Sequence, residues 1–166
     1  MKNSFLLISL IFAVLVLAGT VLYFIHYRDQ SRIKAKETGI LEIRDTETGK
    51  VLSVWPLDEH DEFAIEFIHS VNISPVRETY RIENGSIRLK SVRFYSFGAG
   101  MESDLGEGQI LSQDGDAMLI TGFDVSFKEL NFIIGTVSDH VLYINNEVIS
   151  LLDLCGRNAN ITIQYR

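Results

Sequence analysis

The sequence predicts an all-β fold, an antiparallel β-sandwich or barrel-like domain, preceded by one N-terminal transmembrane helix. Three observations predict it. An uncharged apolar run lies near the N-terminus, turn signals recur roughly every eight to twelve residues after position 38, and the segments between them are short, β-branched and aromatic.

The apolar run, Phe5 to Ile25, is interrupted only by Ser9, Gly19, Thr20 and Tyr23. At about 1.5 Å per residue, a helix of this length spans a hydrocarbon layer of about 30 Å. A cleaved signal peptide is the competing reading, with Val16-Leu17-Ala18 as a small-residue site, but the run continues past it through Val21 to Ile25. The sole cysteine is Cys155, so no lipoprotein cysteine follows that stretch. Residues 1–37 therefore read as a signal anchor with a basic linker, and 38–166 as an all-β soluble domain.

Strands are expected at Ile40 to Arg44, Val51 to Leu57, Glu62 to Val71, Val76 to Glu83, Ser86 to Phe94, Ala117 to Phe123, Asn131 to Val137, His140 to Ile144, Glu147 to Leu151 and Ile161 to Tyr165. Asn84-Gly85 is the strongest turn, because both positions of a type I′ turn need positive φ and this dipeptide tolerates it. Asn145-Asn146 predicts a second hairpin and Asp114-Gly115 a further turn. Pro56 argues for an edge strand.

The stretch Phe63 to Ile82 places His69 and Glu78 on otherwise apolar strand faces. With Asn72-Ile73-Ser74-Pro75 as the loop, Val71 faces Val76, Phe67 faces Tyr80, His69 faces Glu78, and Glu66 faces Arg81 on the other side. Continuing through Asn84-Gly85 sets Ile82 against Ile87, Tyr80 against Leu89 and Glu78 against Ser91.

Charge bounds the partners. Residues 1–37 hold five basic and two acidic side chains, so the remainder carries ten basic and twenty acidic ones, a net of −10. Such a field disfavours nucleic acid. Arg28, Arg32, Lys34 and Lys36 follow the apolar run while Lys2 precedes it, a count that favours a cytoplasmic domain; an anchor followed by an all-β domain favours export.

The candidate ligand or structural polar site comprises His69, Ser70, Glu78 and His140, with Gly98 and Gly100 in the longest irregular stretch, between Gly98-Ala99-Gly100 and Gly106-Glu107-Gly108. Glycines there let backbone amides converge on a ligand or serve a plain crossover. His69, Glu78 and His140 would make a two-histidine, one-carboxylate metal set if they converged, but nothing in the sequence brings His140 to the others. The bland reading is that His69 and Glu78 satisfy each other by a charge-assisted hydrogen bond. Neighbours on a strand point to opposite faces, so His69 cannot activate Ser70 as a nucleophile, and no Gly-x-Ser-x-Gly elbow occurs. No catalytic residue, metal or cofactor is expected.

His69-Ser70-Val71, Pro75-Val76, Glu78 and Tyr80, then Phe97-Gly98-Ala99-Gly100-Met101 and Ser138-Asp139-His140-x-Leu142 resemble the domain-of-unknown-function family 1850, over about Ile40 to Leu151. Glu102 stands where that family frequently has proline. Its members are small, commonly carry an N-terminal hydrophobic segment, and are often encoded beside the membrane subunits of TAXI-type tripartite ATP-independent periplasmic (TRAP) transporters. The resemblance implies an accessory role at such a transporter, with a membrane or solute-binding subunit as partner. It also favours a single-pass cell-membrane protein with an extracytoplasmic domain. The expected function is a non-catalytic binding domain; the alternative is a small metal- or ligand-dependent enzyme built on His69, Glu78 and His140.

Overall fold

The computed structural model describes residues 19–23, 38–71, 73–95, 105–135 and 138–166. Residues 19–23 are helical, and the rest of the Phe5 to Ile25 run lies outside the described residues. Among the described residues no helix is long and apolar enough to cross a membrane. All strands belong to the second of two compact units, Thr38–Arg166.

Four strands make the smaller sheet: β1 (Gly39–Asp45), β2 (Val51–Leu57), β9 (Glu129–Ile133) and β12 (Asn160–Tyr165), ordered β2-β1-β12-β9. The larger sheet contains β3 (Glu62–His69), β4 (Ser74–Glu83), β5 (Ser86–Phe94), β6 (Ile110–Asp114), β7 (Ala117–Thr121), β10 (His140–Ile144) and β11 (Glu147–Ser150). Its order is β11-β10-β3-β4-β5-β7-β6, with β8 (Ser126–Phe127) also pairing β5. Pairing is antiparallel in both sheets. Both sheets end in edge strands, so neither closes into a barrel. Leu41, Ile43 and Ile163 of the smaller sheet share one core with Phe63, Ile65, Ile82 and Leu142 of the larger, which makes the architecture sandwich-like.

Local chemistry explains the turns. Asn84 and Gly85 take φ 52° and 70°, and Asn145 and Asn146 take 50° and 64°, so both hairpins have the double positive φ of a type I′ loop. Gly115 takes φ 61° between β6 and β7. Gly122, at φ 81°, is held tighter: a Cβ there would stand 2.1 Å from the Gly108 carbonyl oxygen. Pro56 lies in β2, at the edge of its sheet, where a missing N–H breaks no outer ladder.

Several expected elements differ. The β3–β4 register is displaced by two residues in each strand, pairing His69 with Ser74, Phe67 with Val76, Ile65 with Glu78 and Phe63 with Tyr80. His69 therefore does not face Glu78. The loop is 70–73, closed by the Ile73 N–H donating to the His69 carbonyl at 2.9 Å. The displacement is even, so inward and outward faces are preserved. It also replaces the expected Glu66–Arg81 pair by two pairs: Arg77 Nε to Glu66 Oε2 at 2.9 Å and Arg81 Nη2 to Glu62 Oε1 at 2.5 Å. Phe63 stacks on Tyr80 at 5.2 Å.

Ile82 faces Ile87 and Tyr80 faces Leu89 as expected, but a bulge at Lys90 puts Val92, not Ser91, opposite Glu78. That extra residue keeps Val92 and Phe94 on the inner face. β6 and β8 are additional, and β9 ends at Ile133 rather than Val137. Leu151 starts a short helix, α1 (Leu151–Cys155), instead of ending β11. Ser150 Oγ accepts the Asp153 N–H at 3.0 Å and Asp139 Oδ1 accepts the Leu152 N–H at 2.9 Å, which caps the helix.

Candidate functional site

The inner face of the larger sheet is laid out in rows. His140, Phe67, Val76 and Phe94 make one row across β10, β3, β4 and β5, and Leu142, Ile65, Glu78 and Val92 make the next. His69 and Ser74 lie beyond the first row, at the hairpin end. Three segments far apart in sequence thus meet at one end of the sheet: His69-Ser70-Val71 with Pro75-Val76, Ser138-Asp139-His140, and the end of β5, three residues before Phe97.

The polar residues there do not form one cluster. His69 and His140 are diagonal neighbours on adjacent strands, about 7–8 Å apart by sheet geometry. Glu78 is two strands and one row from His140, about 12 Å in Cα separation. Ligands of a single ion must each reach within about 2 Å of it, and the described residues contain no group of three or more His, Cys, Asp or Glu arranged to do so.

Each residue instead has a local setting. His140 stacks on Phe67 at 5.6 Å and meets Phe132 edge-on at 5.9 Å. Its Nδ1 is buried with no hydrogen-bond partner among the described residues. Desolvation holds its pKa below the usual histidine value, opposed by the charge of Asp139. Asp139 itself is occupied in capping α1. Glu78 accepts the Tyr80 hydroxyl hydrogen bond at 2.5 Å. Desolvation raises the Glu78 pKa against that bond, and burial followed by the Glu78 charge raises the Tyr80 phenol. His69 Nδ1 accepts the Val71 N–H at 3.4 Å. Ser70 is exposed at the start of the loop. Gly98 and Gly100 lie outside the described residues.

The hairpin tip was read only as a turn, and it carries the least expected feature of this end. Val71 is 61% and Ile73 81% exposed, with Ile68 and Tyr95 also exposed nearby in the fold. Ile73 has φ 47°, a left-handed conformation that is an outlier for a β-branched residue. Ile73 is thus an apolar side chain held outward at the loop tip on a strained backbone. Sequence alternation could not find it, because periodicity assigns strand faces and says nothing of loop φ.

A different concavity, 560 Å³ in volume, lies on the outer face at the other end of the sheet, between Asp61, Ala64, Thr79, Tyr143, Asn145 and Glu147. Neither His69, Ser70, Glu78 nor His140 lines it.

The family model described as Domain of unknown function (DUF1850) matches residues 63–151. No curated protein and no solved structure matches the chain. The matched stretch contains nearly all of the larger sheet and hence the end where the three segments meet. It covers more than half of the sequence, and the chain therefore belongs to the domain-of-unknown-function family DUF1850.

Proposed function

We propose that this chain is a non-catalytic, membrane-anchored binding domain whose hairpin end engages a subunit of a TAXI-type TRAP transporter. The observation that carries the binding role is the meeting of three separated segments at one sheet end capped by exposed Val71 and Ile73. The transporter comes from the family resemblance, and the single-pass anchor from the Phe5 to Ile25 run. An extracytoplasmic domain follows from the same partner. A catalytic role would need an acid, base or nucleophile brought together. His69, His140 and Glu78 sit in separate rows, which favours binding over reaction.

Photo-cross-linking tests this in membranes of the native host. A benzoylphenylalanine at position 73 should capture a TRAP membrane or solute-binding subunit, and one at Val148, on β11, should not. With the probe moved to position 71, Ile73→Asn should remove the capture while raising stability by about 1 kcal/mol, because asparagine tolerates left-handed φ and isoleucine does not. If position 73 captures no transporter subunit, or if Ile73→Asn leaves capture intact, the reading fails.

A further inference from the structure

Among the described residues, the strands at the ends of the two sheet orders are not treated alike. β2 carries Pro56 and lies beside a register shift at Ile43/Arg44. β11 has four residues and runs straight into α1. β9 begins with Glu129 directly after Lys128. Prolines, bulges, shortness and flanking charge are devices that keep an edge from pairing with another chain. β6 is also short, at five residues, and ends on Asp114, but it has neither proline nor bulge. All five of its residues, Ile110 to Asp114, are exposed, and its register with β7 is regular throughout. Its one charge, Asp114, is held by Arg93 Nε at 2.8 Å.

The outward backbone groups of β6 can be assigned. Asp114 and Ala117 close a two-residue loop, so they form a hydrogen-bonded pair, and alternation makes Ser112 and Ile110 the next such positions. The N–H and C=O groups of Leu111 and Gln113 therefore point away from β7. Leu111 and Ile110 add exposed apolar surface at 39% and 63%. Residues 105–118 hold Glu107, Asp114 and Asp116 and no basic side chain, within a domain of net charge −10.

We propose that β6 is a site of β-strand addition for an extended peptide that alternates basic and β-branched residues. Main-chain hydrogen bonds to Leu111 and Gln113 would supply pairing, and the acidic surroundings would select for positive charge. The proposal does not depend on the transporter reading, which concerns the β3–β4 hairpin.

The test uses the full chain in non-ionic detergent, with a heptapeptide alternating lysine and valine and its glutamate–valine counterpart as probes. The lysine peptide should bind and protect the Leu111 and Gln113 amides from hydrogen exchange. The glutamate peptide should not. Gln113→Pro, which removes an outward donor without touching the β7 ladder, should abolish protection of the remaining Leu111 amide. Leu111→Lys, which leaves the backbone intact, should weaken lysine-peptide binding by roughly tenfold or more through like-charge repulsion. The proposal is overturned if the lysine peptide protects neither amide, if both peptides bind equally, or if Leu111→Lys binds as the wild type does. It is also overturned if the chain alone dimerises and protects these amides, which would make a second copy the occupant.

Discussion

At the residue scale, Glu78 and His140 place two titratable groups on the inner face with opposite effects on stability. Desolvation raises the Glu78 pKa above its ordinary 4.5. The folded state then holds the proton more tightly than the unfolded chain, so this contribution is full below 4.5 and is lost as pH rises toward the folded value. Desolvation lowers the His140 pKa below 6.5. Its contribution is full above 6.5 and is lost as pH falls toward the folded value. The two slopes have opposite signs, the first setting in above 4.5 and the second below 6.5. Glu78→Gln keeps an acceptor for the Tyr80 hydroxyl and should remove the loss of melting temperature that sets in as pH rises above 4.5. His140→Phe should remove the loss that sets in as pH falls below 6.5. Thermal melts at several pH values check both, and identical profiles in wild type and variants would show that neither group titrates as its burial demands. Glu78→Ala strands the Tyr80 hydroxyl and should cost about 1–3 kcal/mol.

At the element scale, the Lys90 bulge decides which face of β5 enters the core. Inner-face residues run Ile87, Leu89, then Val92 and Phe94, a break in alternation that one extra residue explains. Deleting Lys90 should close the ladder with Val92 and Phe94 still inside, and the domain should remain folded. Deleting Arg93 should turn Phe94, 0% exposed in the wild type, toward the outer face at a cost of roughly 3–5 kcal/mol, the range for losing a buried phenylalanine. Chemical denaturation of the two deletions separates these outcomes. The β3–β4 hairpin follows the same logic in another form. Its register satisfies two ion pairs and places Arg77 over the Tyr143 ring at 4.0 Å, a combination that the expected register, two residues away in each strand, did not reach.

At the scale of the molecule, the domain has two distinct ends. Gly39 pairs with Leu57, and the loop after Leu57 hydrogen-bonds back to Ile82 through His60 and Asp61. Gly39, the first residue of β1, therefore lies at the same end of the domain as the Asn84-Gly85 turn. The hairpin tip at 70–73 lies at the other end of β3 and β4, roughly 30 Å away along the strands. A reporter fused after Arg166 should be active as alkaline phosphatase and dark as GFP. The opposite result would assign the domain to the cytoplasm, as the basic residues after the apolar run suggest.

The sequence by itself determined the all-β class, the Asn84-Gly85 and Asn145-Asn146 hairpins, the edge position of Pro56 and the family, because alternation, turn dipeptides and ordered motifs are local signals. It also showed which residues of β3 and β4 point inward, since an even displacement cannot change a face. Only the tertiary structure decided which inward residues meet. His69 and Glu78 share a face but lie in different rows, because the loop slid by two residues to favour side-chain pairs contributed by both strands. α1 was hidden for a related reason: Ser150 and Asp153 have the spacing of a helix start, yet the β-branched residues before them read as strand, and the cap is completed by Asp139 from before β10. The strained tip at Ile73 and the open edge at β6 belong to the same class. Both depend on where the chain ends up relative to its neighbours, and that is a property of packing between segments rather than of any segment alone.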